Sequence, residues 1–438
     1  MPHHPLRIAL ISEHASPLAS VGSVDAGGQN IYVLNVATCL ARAGHQVDVL
    51  TRRDDSALAS EIQLRPGLRV IHLPAGPPRF VPKEALLAHM PAFAAAAEKR
   101  FRAIDYDVVH ANFFMSGLVG LHLKKAFGVP LAMTFHALGL VRQEHQGPND
   151  GFPPVRVEIE RAIVRNADCV IAECPQDEAD LIRLYQADRE RITTVPCGVD
   201  VDSFSPGSRT AARRAIGIAD DEFVILQLGR MVPRKGVDNV VRALSLLDSK
   251  ERVRLLVVGG ESAEPDPMLT PEISRLRALA ESCGVAGRVT FTGQRHRDSL
   301  PDYYRAADVF VTTPWYEPFG ITPLEAMACA TPVIGSAVGG IQHSVVDGVT
   351  GFLVPPHDPR ALADRLQWLH AHRWLGQTLG RAGMRRVRAR YTWERVAADL
   401  ADVYLLLAAA GQRRAAPVAR AAAATNLRSV PDRARATA

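Results

Sequence analysis

The chain has 438 residues, 47% apolar and 22% charged, with a net charge of +5, a balance that suits two or three globular domains and excludes a disordered or fibrous chain. From Gly411 to the end six arginines (413, 414, 420, 428, 433, 435) face one acid, Asp432, so an excess of +5 sits in the last 28 residues and the body has no net charge with which to recruit nucleic acid. No apolar run approaches the ~18–20 residues that span a bilayer, the start is too polar for a secretion signal, and six scattered cysteines without a CxxC pair read as reduced thiols of a cytoplasmic protein.

In chain order, short apolar runs at 6–12, 46–51, 70–73, 108–110, 131–135, 169–173 and 192–195 alternate with amphipathic stretches such as 30–43 and 157–166. This is the pattern of a doubly wound α/β unit with a parallel sheet. The connection PCGVDVDSFSP, 196–206, interrupts it, and a second series follows at 223–228, 254–258, 289–292, 309–312, 332–335 and 352–354. The predicted organisation is therefore a Rossmann-like domain over 1–195, a linker over 196–206 and a second Rossmann-like domain over 207–392. A helix over 393–410 crosses back to the first domain, and a basic tail over 411–438 has one leucine and two valines to bury and is expected to stay unfolded. Two doubly wound domains predict a ligand cleft between the C-terminal ends of their strands.

Four stretches put chemistry at that cleft. In DAGGQNIYV the pair Gly27-Gly28 precedes the first helix, where backbone can approach a ligand closely and a helix start attracts negative charge. No GxGxxG is present, so this is not a dinucleotide fingerprint. His136, in MTFHALG, follows the fifth strand of the first series and points to the same cleft; a lone histidine there is as readily a packed residue as a catalytic one. LGRMVPRKG delivers Gly229, Arg230 and Lys235 at a strand end, two fixed cations that can neutralise a diphosphate leaving group without a metal. In WYEPFGITPLEAMA, Glu317 and Glu325 stand with seven residues between them around a Pro-Phe-Gly turn. Thr322-Pro-Leu-Glu325 has the form of a helix start, with Thr322 as N-cap and Glu325 closing a capping box. Glu317 has no such structural duty; beside an anion site a carboxylate reads as a hydroxyl binder, and hydroxyls next to phosphates describe a nucleotide sugar. The Asp200/Asp202 and Asp105/Asp107 pairs read as turn residues rather than metal ligands, and no metal site is expected.

Over residues 6 to about 405 the chain resembles the retaining glycosyltransferases of family 4, with the GT-B fold of two Rossmann-like domains facing across a cleft. The resemblance rests on YEPFGITPLEAMACATPVIGSAVGGIQHSVVDGVTGFLVPP together with GRMVPRKG and DAGGQNIYV. Ala330 departs from it, standing where glycine is usual. The resemblance implies that Glu317 contacts donor-sugar hydroxyls and Glu325 the ribose, that Arg230 and Lys235 bind the diphosphate, and that Gly229 and the backbone of Phe319, Gly320, Ile321 and Thr322 hold sugar and phosphate. It also implies that Gly27 and Gly28 close over the donor and that His136 lies near the donor sugar. Retention would follow from same-face attack, with the leaving phosphate taking the acceptor's proton.

HASPLASVGSVDAGGQNIYV and AGPPRFVPKEALLAHMPAF are similar to both sucrose-phosphate-synthase-like enzymes and the inositol-phosphate glycosyltransferases of mycothiol synthesis. By that likeness Lys83 and Arg156 hold an acceptor's phosphate. Phe113 and Ala137 replace the Tyr and Thr of the inositol-phosphate enzymes, and two lost hydroxyls at roughly 1 kcal/mol each disfavour that acceptor. Arg142, His145 and Gln146, in a stretch of its own kind, are expected to form the altered acceptor wall. The expected activity is transfer of a hexose, UDP-glucose being the favoured donor, to a small phosphorylated sugar or polyol, with Mg2+ allowed but not essential. No nucleic-acid partner is expected, and a homodimer is left open. The alternatives are a nucleotide-sugar epimerase and a transferase acting on a lipid-linked acceptor.

Overall fold

Near-continuous apolar runs become strands buried on both faces, as parallel sheets covered by helices require. The computed structural model describes residues 5–19, 27–248 and 252–426, with side chains as far as Gly411 apart from residues 148 and 149. Asp25 and Ala26 of the glycine-pair motif, and residues 427–438 of the basic tail, lie outside the described residues.

The first sheet holds β1 (Arg7–Ile11), β2 (Gln46–Arg52), β3 (Glu61–Arg65), β4 (Leu68–Leu73), β5 (Val108–Asn112), β6 (Leu131–Thr134), β7 (Cys169–Ala172) and β8 (Ile192–Thr194), in the order β3-β4-β2-β1-β5-β6-β7-β8. Every pair is parallel except the β3–β4 hairpin. Sequence reading misses β3 because this edge strand, EIQLR, has no fully buried residue and so no apolar run. The second sheet holds β9 (Phe223–Leu228), β10 (Val253–Val258), β11 (Val289–Gly293), β12 (Val309–Thr312), β13 (Val333–Ser336) and β14 (Gly351–Val354), in the order β11-β10-β9-β12-β13-β14. All of its pairs are parallel. Chain order reverses between β1 and β5 in one sheet and between β9 and β12 in the other, and open α/β sheets bind ligands beyond the strand ends at such points.

The chain passes between the sheets twice at one place. Val199 N–H donates to the Tyr391 carbonyl at 2.8 Å, and a Cβ on Gly198 would lie 2.8–2.9 Å from Trp393. The final helix, Trp393–Asn426, starts from buried Trp393 and reaches the first sheet, where Tyr404 Oη meets His110 Nδ1 at 2.6 Å. Burial, with nearby His136, pushes the His110 imidazole down to about 3, so it stays neutral in the core. This helix continues through Asn426, past Gly411, where the tail was expected to lose structure. Scarcity of core-forming residues does not forbid a helix when alanine, the strongest helix former, dominates the run.

Candidate active site

The second domain's contribution starts at the end of β9. Gly229 (φ 151°) leads into Arg230, a 3-10 turn over Pro233–Lys235, and Gly236 (φ 67°). A Cβ on Gly236 would sit 1.9 Å from the Thr313 carbonyl oxygen, so only glycine lets this loop lie against the end of β12. That approach joins Lys235 to Glu317 in a hydrogen-bonded ion pair and brings Arg234 to 3.8 Å from the same carboxylate. Burial pushes the Lys235 ammonium down to about 8, Arg234 and Arg230 adding to the fall and Glu317 opposing it. Burial alone would raise the Glu317 carboxyl, but Lys235, Arg234 and Arg230 outweigh it and hold the group below the ordinary carboxylate range. The site is a cationic pocket in which Lys235 is held on an acid. Arg234 was missed in the sequence because nothing in PRK distinguishes the lysine that pairs from the arginine beside it.

The helix Ile321–Ala328 begins two residues earlier than expected, with Gly320 (φ 92°) at the N-cap. Thr322 is then inside the first turn, and the expected capping box between Thr322 and Glu325 does not form. Glu325 is instead 2% exposed, accepts a hydrogen bond from Tyr304 Oη at 2.8 Å and pairs with Arg297 at 2.9 Å. The cause lies in Gly339 and Gly340: Cβ atoms there would sit 1.7 Å from the Glu317 carbonyl oxygen and 2.4 Å from that of Phe319. Their close approach fixes the 317–320 turn and lets Gly320 take the left-handed cap. Across the cleft, a Cβ on Gly28, at the start of the helix Gly28–Arg42, would lie 3.6 Å from Ile321 Cδ1. Two helix starts thus meet, one from each domain, and both favour negative charge. At the far end of its helix Ala330 adopts φ 60°. Ala330→Gly is therefore expected to stabilise the protein by about 1 kcal/mol, since a left-handed L-residue costs roughly 1–2 kcal/mol; a lowered thermal midpoint would contradict this.

His136 sits just past β6 at φ 57° with its ring held on both sides, Nδ1 3.0 Å from Glu173 Oε1 and Nε2 2.9 Å from Asn112 Oδ1. Asn112 Nδ2 faces the Ile11 carbonyl at 3.3 Å, which orients its Oδ1 towards the imidazole. Both ring nitrogens are engaged by the protein, which holds the imidazole in one orientation. Burial would raise the Glu173 carboxyl, but His136 lowers it further, with Cys197 Sγ donating at 3.0 Å. Glu173 was legible in principle: it ends an apolar strand run on the cleft side, as His136 does.

The acceptor-side residues divide. Arg156 is 1% exposed, paired with Glu160 at 2.8 Å and hydrogen-bonded to the Ala137 carbonyl. Its guanidinium lies 4.5, 4.8 and 5.1 Å from the ring centroids of Phe152, Phe114 and Phe113. The expected phosphate ligand thus lies buried beside aromatic rings, with its Nη1 lacking a hydrogen-bond partner. Arg142 pairs with Asp150 at 2.5 Å and covers another part of Phe152, at 5.1 Å. Lys83 keeps a partly exposed side chain, 4.0 Å from Glu84, and Glu84 in turn lies against Gly151. Lys83 and Arg142 therefore belong to one wall. His145 does not: its ring stacks on Tyr316 at 4.9 Å and 16°, and Gln146 hydrogen-bonds the Tyr316 hydroxyl. Arg234 lies 5.1 Å from the same ring, so Tyr316 is packed between the two domains. The contact arises because the short helix Gly139–Gln146 ends against the 315–318 loop, beside Glu317. Stacks of this kind are worth about 0.5–1.5 kcal/mol, so His145→Ala is expected to raise the donor KM about 2- to 10-fold and leave the acceptor KM near its original value. Equal rises in both would contradict it.

Between the domains lies a cavity of about 300 Å3 lined by Ala137, Leu138 and His145 on one side and Tyr316, Glu317 and Gly339 on the other. Asp200 accepts from the Asp202 and Ser203 amides at 3.0 and 3.1 Å and closes a turn.

The model of "Glycosyltransferase Family 4" matches residues 26–203, and that of "Glycosyl transferases group 1" residues 208–385. The D-inositol 3-phosphate glycosyltransferase of Xylanimonas cellulosilytica is 40% identical over 408 residues, covering 91% of this chain and 96% of that one. The enzyme of the same name from Mycolicibacterium smegmatis is 40% identical over 370 residues, 83% of each chain. Among solved structures, a sucrose-phosphate synthase from Thermosynechococcus elongatus superposes with a TM-score of 0.85 at 39% identity, over 92% of this chain and 100% of that one. The Anabaena protein HepE, solved with UDP and glucose, reaches a TM-score of 0.72 over 91% of this chain and 99% of its own at 20% identity, a likeness of fold. With both domains matched and relatives of this identity spanning nearly the whole chain, the protein belongs to the family 4 glycosyltransferases and has their GT-B fold.

Proposed function

We propose that this glycosyltransferase moves a hexose from a nucleoside-diphosphate donor, UDP-glucose in the favoured case, to a small phosphorylated sugar or polyol, with retention at the anomeric carbon. The observation that carries the reading is the Lys235–Glu317 pair flanked by Arg230 and Arg234 at the end of β9, opposite two helix starts. A diphosphate entering there takes the lysine's charge, and the released Glu317 accepts hydrogen bonds from hydroxyls of the hexose. As the glycosidic bond breaks, the cations neutralise the charge growing on the leaving phosphate. The acceptor hydroxyl attacks from the same face and gives its proton to that phosphate oxygen. No carboxylate nucleophile and no essential metal enter this scheme.

The phosphorylated acceptor is supported by what the similar enzymes are named for and by the Lys83–Arg142 wall. The phosphate is assigned to that wall rather than to Arg156. Six unpaired cysteines, five of them buried, fit a reducing compartment and a cytoplasmic enzyme. The experiment is an assay with UDP-glucose against matched phosphorylated and unphosphorylated sugars and polyols, with the product anomer read by NMR. An α-linked product formed only with the phosphorylated series supports the reading; a β-linked product, or indifference to the phosphate, overturns it.

A further inference from the structure

The helix Arg373–Arg390 carries six arginines and no acid. Setting aside its +6 and the +5 of the residues from Gly411 onward leaves the remainder of a +5 chain at −6. The helix is thus net basic on a body that is otherwise net acidic.

The arrangement of that helix is equally one-sided. Its inner face is Gly376, Leu379, Gly380, Gly383 and Val387, all buried. A Cβ on Gly380 would sit 1.9 Å from the Ala330 carbonyl oxygen and one on Gly383 2.8 Å from Met327 Cγ, so the glycines seat the helix directly on the end of Ile321–Ala328. The opposite face carries Trp374, Arg381, Arg385 and Arg388, at intervals of seven, four and three residues that fall in one line along a helix. Trp374 is 67% exposed and the three arginines are exposed. Among the described residues none of these three is in an ion pair, whereas arginines such as Arg69, Arg183, Arg254 and Arg275 all have acids. Trp368, on the preceding helix Pro359–Ala371, adds a second exposed indole.

We propose that this face docks on an anionic lipid surface. An 18-residue helix is about 27 Å long, and a straight row of unpaired guanidinium groups along its outer side matches a plane of negative headgroups. The indole at its end suits the boundary between headgroups and acyl chains, where tryptophan concentrates. Nucleic acid is the less favoured occupant: stacking platforms interleave aromatic and basic residues, and here the aromatic stands apart from the basic row.

The test is flotation of the full chain with vesicles of phosphatidylcholine alone or with phosphatidylglycerol, at low and at 0.5 M salt, while tryptophan emission is followed. Binding is expected only with phosphatidylglycerol, to weaken with salt, and to shift the emission to the blue. The Arg381→Ala/Arg385→Ala/Arg388→Ala variant should partition about 100-fold less, the corresponding triple lysine variant should keep binding, and Trp374→Phe should lose the blue shift. Undiminished binding by the triple alanine variant assigns the contact to another surface and overturns the proposal. Equal binding to neutral vesicles, or binding to an oligonucleotide that vesicles do not displace, overturns it as well. Were the triple alanine variant to lose its thermal midpoint, the emission of Trp374→Phe decides: a shift equal to the parent's refutes the docking.

Discussion

Lys235→Ala is expected to lower kcat/KM for the nucleotide-sugar donor by about 100- to 1000-fold, the usual cost of removing a fixed charge or donor aimed at the developing anion. The argument is electrostatic. The lysine is mostly shielded from water, shares its carboxylate partner with Arg234, and stands in the field of Arg230. Any anion that replaces Glu317 opposite it inherits an interaction scarcely weakened by solvent. Because the ammonium is pushed down to about 8, the same residue sets a pH dependence. Donor affinity is expected to hold steady below about pH 7 and to fall as pH rises through 8, where the free enzyme loses the charge. Stability runs the other way: the folded value lies below the unfolded one, so the cost of burying the charge is complete below pH 8 and is relieved as pH climbs towards 10.5. Lys235→Arg should move the fall in affinity to higher pH. A donor affinity independent of pH from 6 to 9.5 would contradict this role.

Arg156→Ala is expected to destabilise the protein by about 3–5 kcal/mol, because it leaves the fully buried Glu160 without its cation. Glu160 would keep the Gly139 amide and the Tyr185 hydroxyl. Burial already raises its carboxyl against the pull of Arg156, so without the arginine it would take up a proton. Glu160→Gln added to Arg156→Ala should recover part of the loss. Urea denaturation measures the stability and an acceptor titration measures the competing role. Intact stability with a large rise in acceptor KM would restore Arg156 as a phosphate ligand.

The course of most β-strands was readable because parallel strands buried on both faces leave apolar runs in the chain, whereas the edge strand β3 has no buried residue and left none. The glycine positions and the two glutamates of the 317–325 stretch were readable as a motif. What the motif does locally was less so. Thr-Pro-Leu-Glu has the chemistry of a capping box, yet Gly320 takes the cap because Gly339 and Gly340 press the preceding turn from the loop that follows the neighbouring strand β13. That contact is made between residues about twenty positions apart, beyond local pattern. Lys235 and Glu317 were each singled out, but their pairing joins residues 82 positions apart and follows only from β9 and β12 being neighbours. Arg156 shows the reverse. The guanidinium is buried against Glu160, one turn along its own helix, and three phenylalanines from two other segments, with only Nη1 left without a hydrogen-bond partner. The stacking of His145 on Tyr316 was not readable, because a helix of eight residues ends where its loop partners, not its own periodicity, dictate.

The most direct test of the central claim is calorimetric titration of the protein, in EDTA, with UDP, GDP and ADP, alongside the Lys235→Ala variant. A metal-free diphosphate site built on Arg230, Arg234 and Lys235 predicts selective binding of one nucleotide by the parent and a loss of about 100-fold or more in the variant. No binding without metal, or equal affinity in the two proteins, would contradict it.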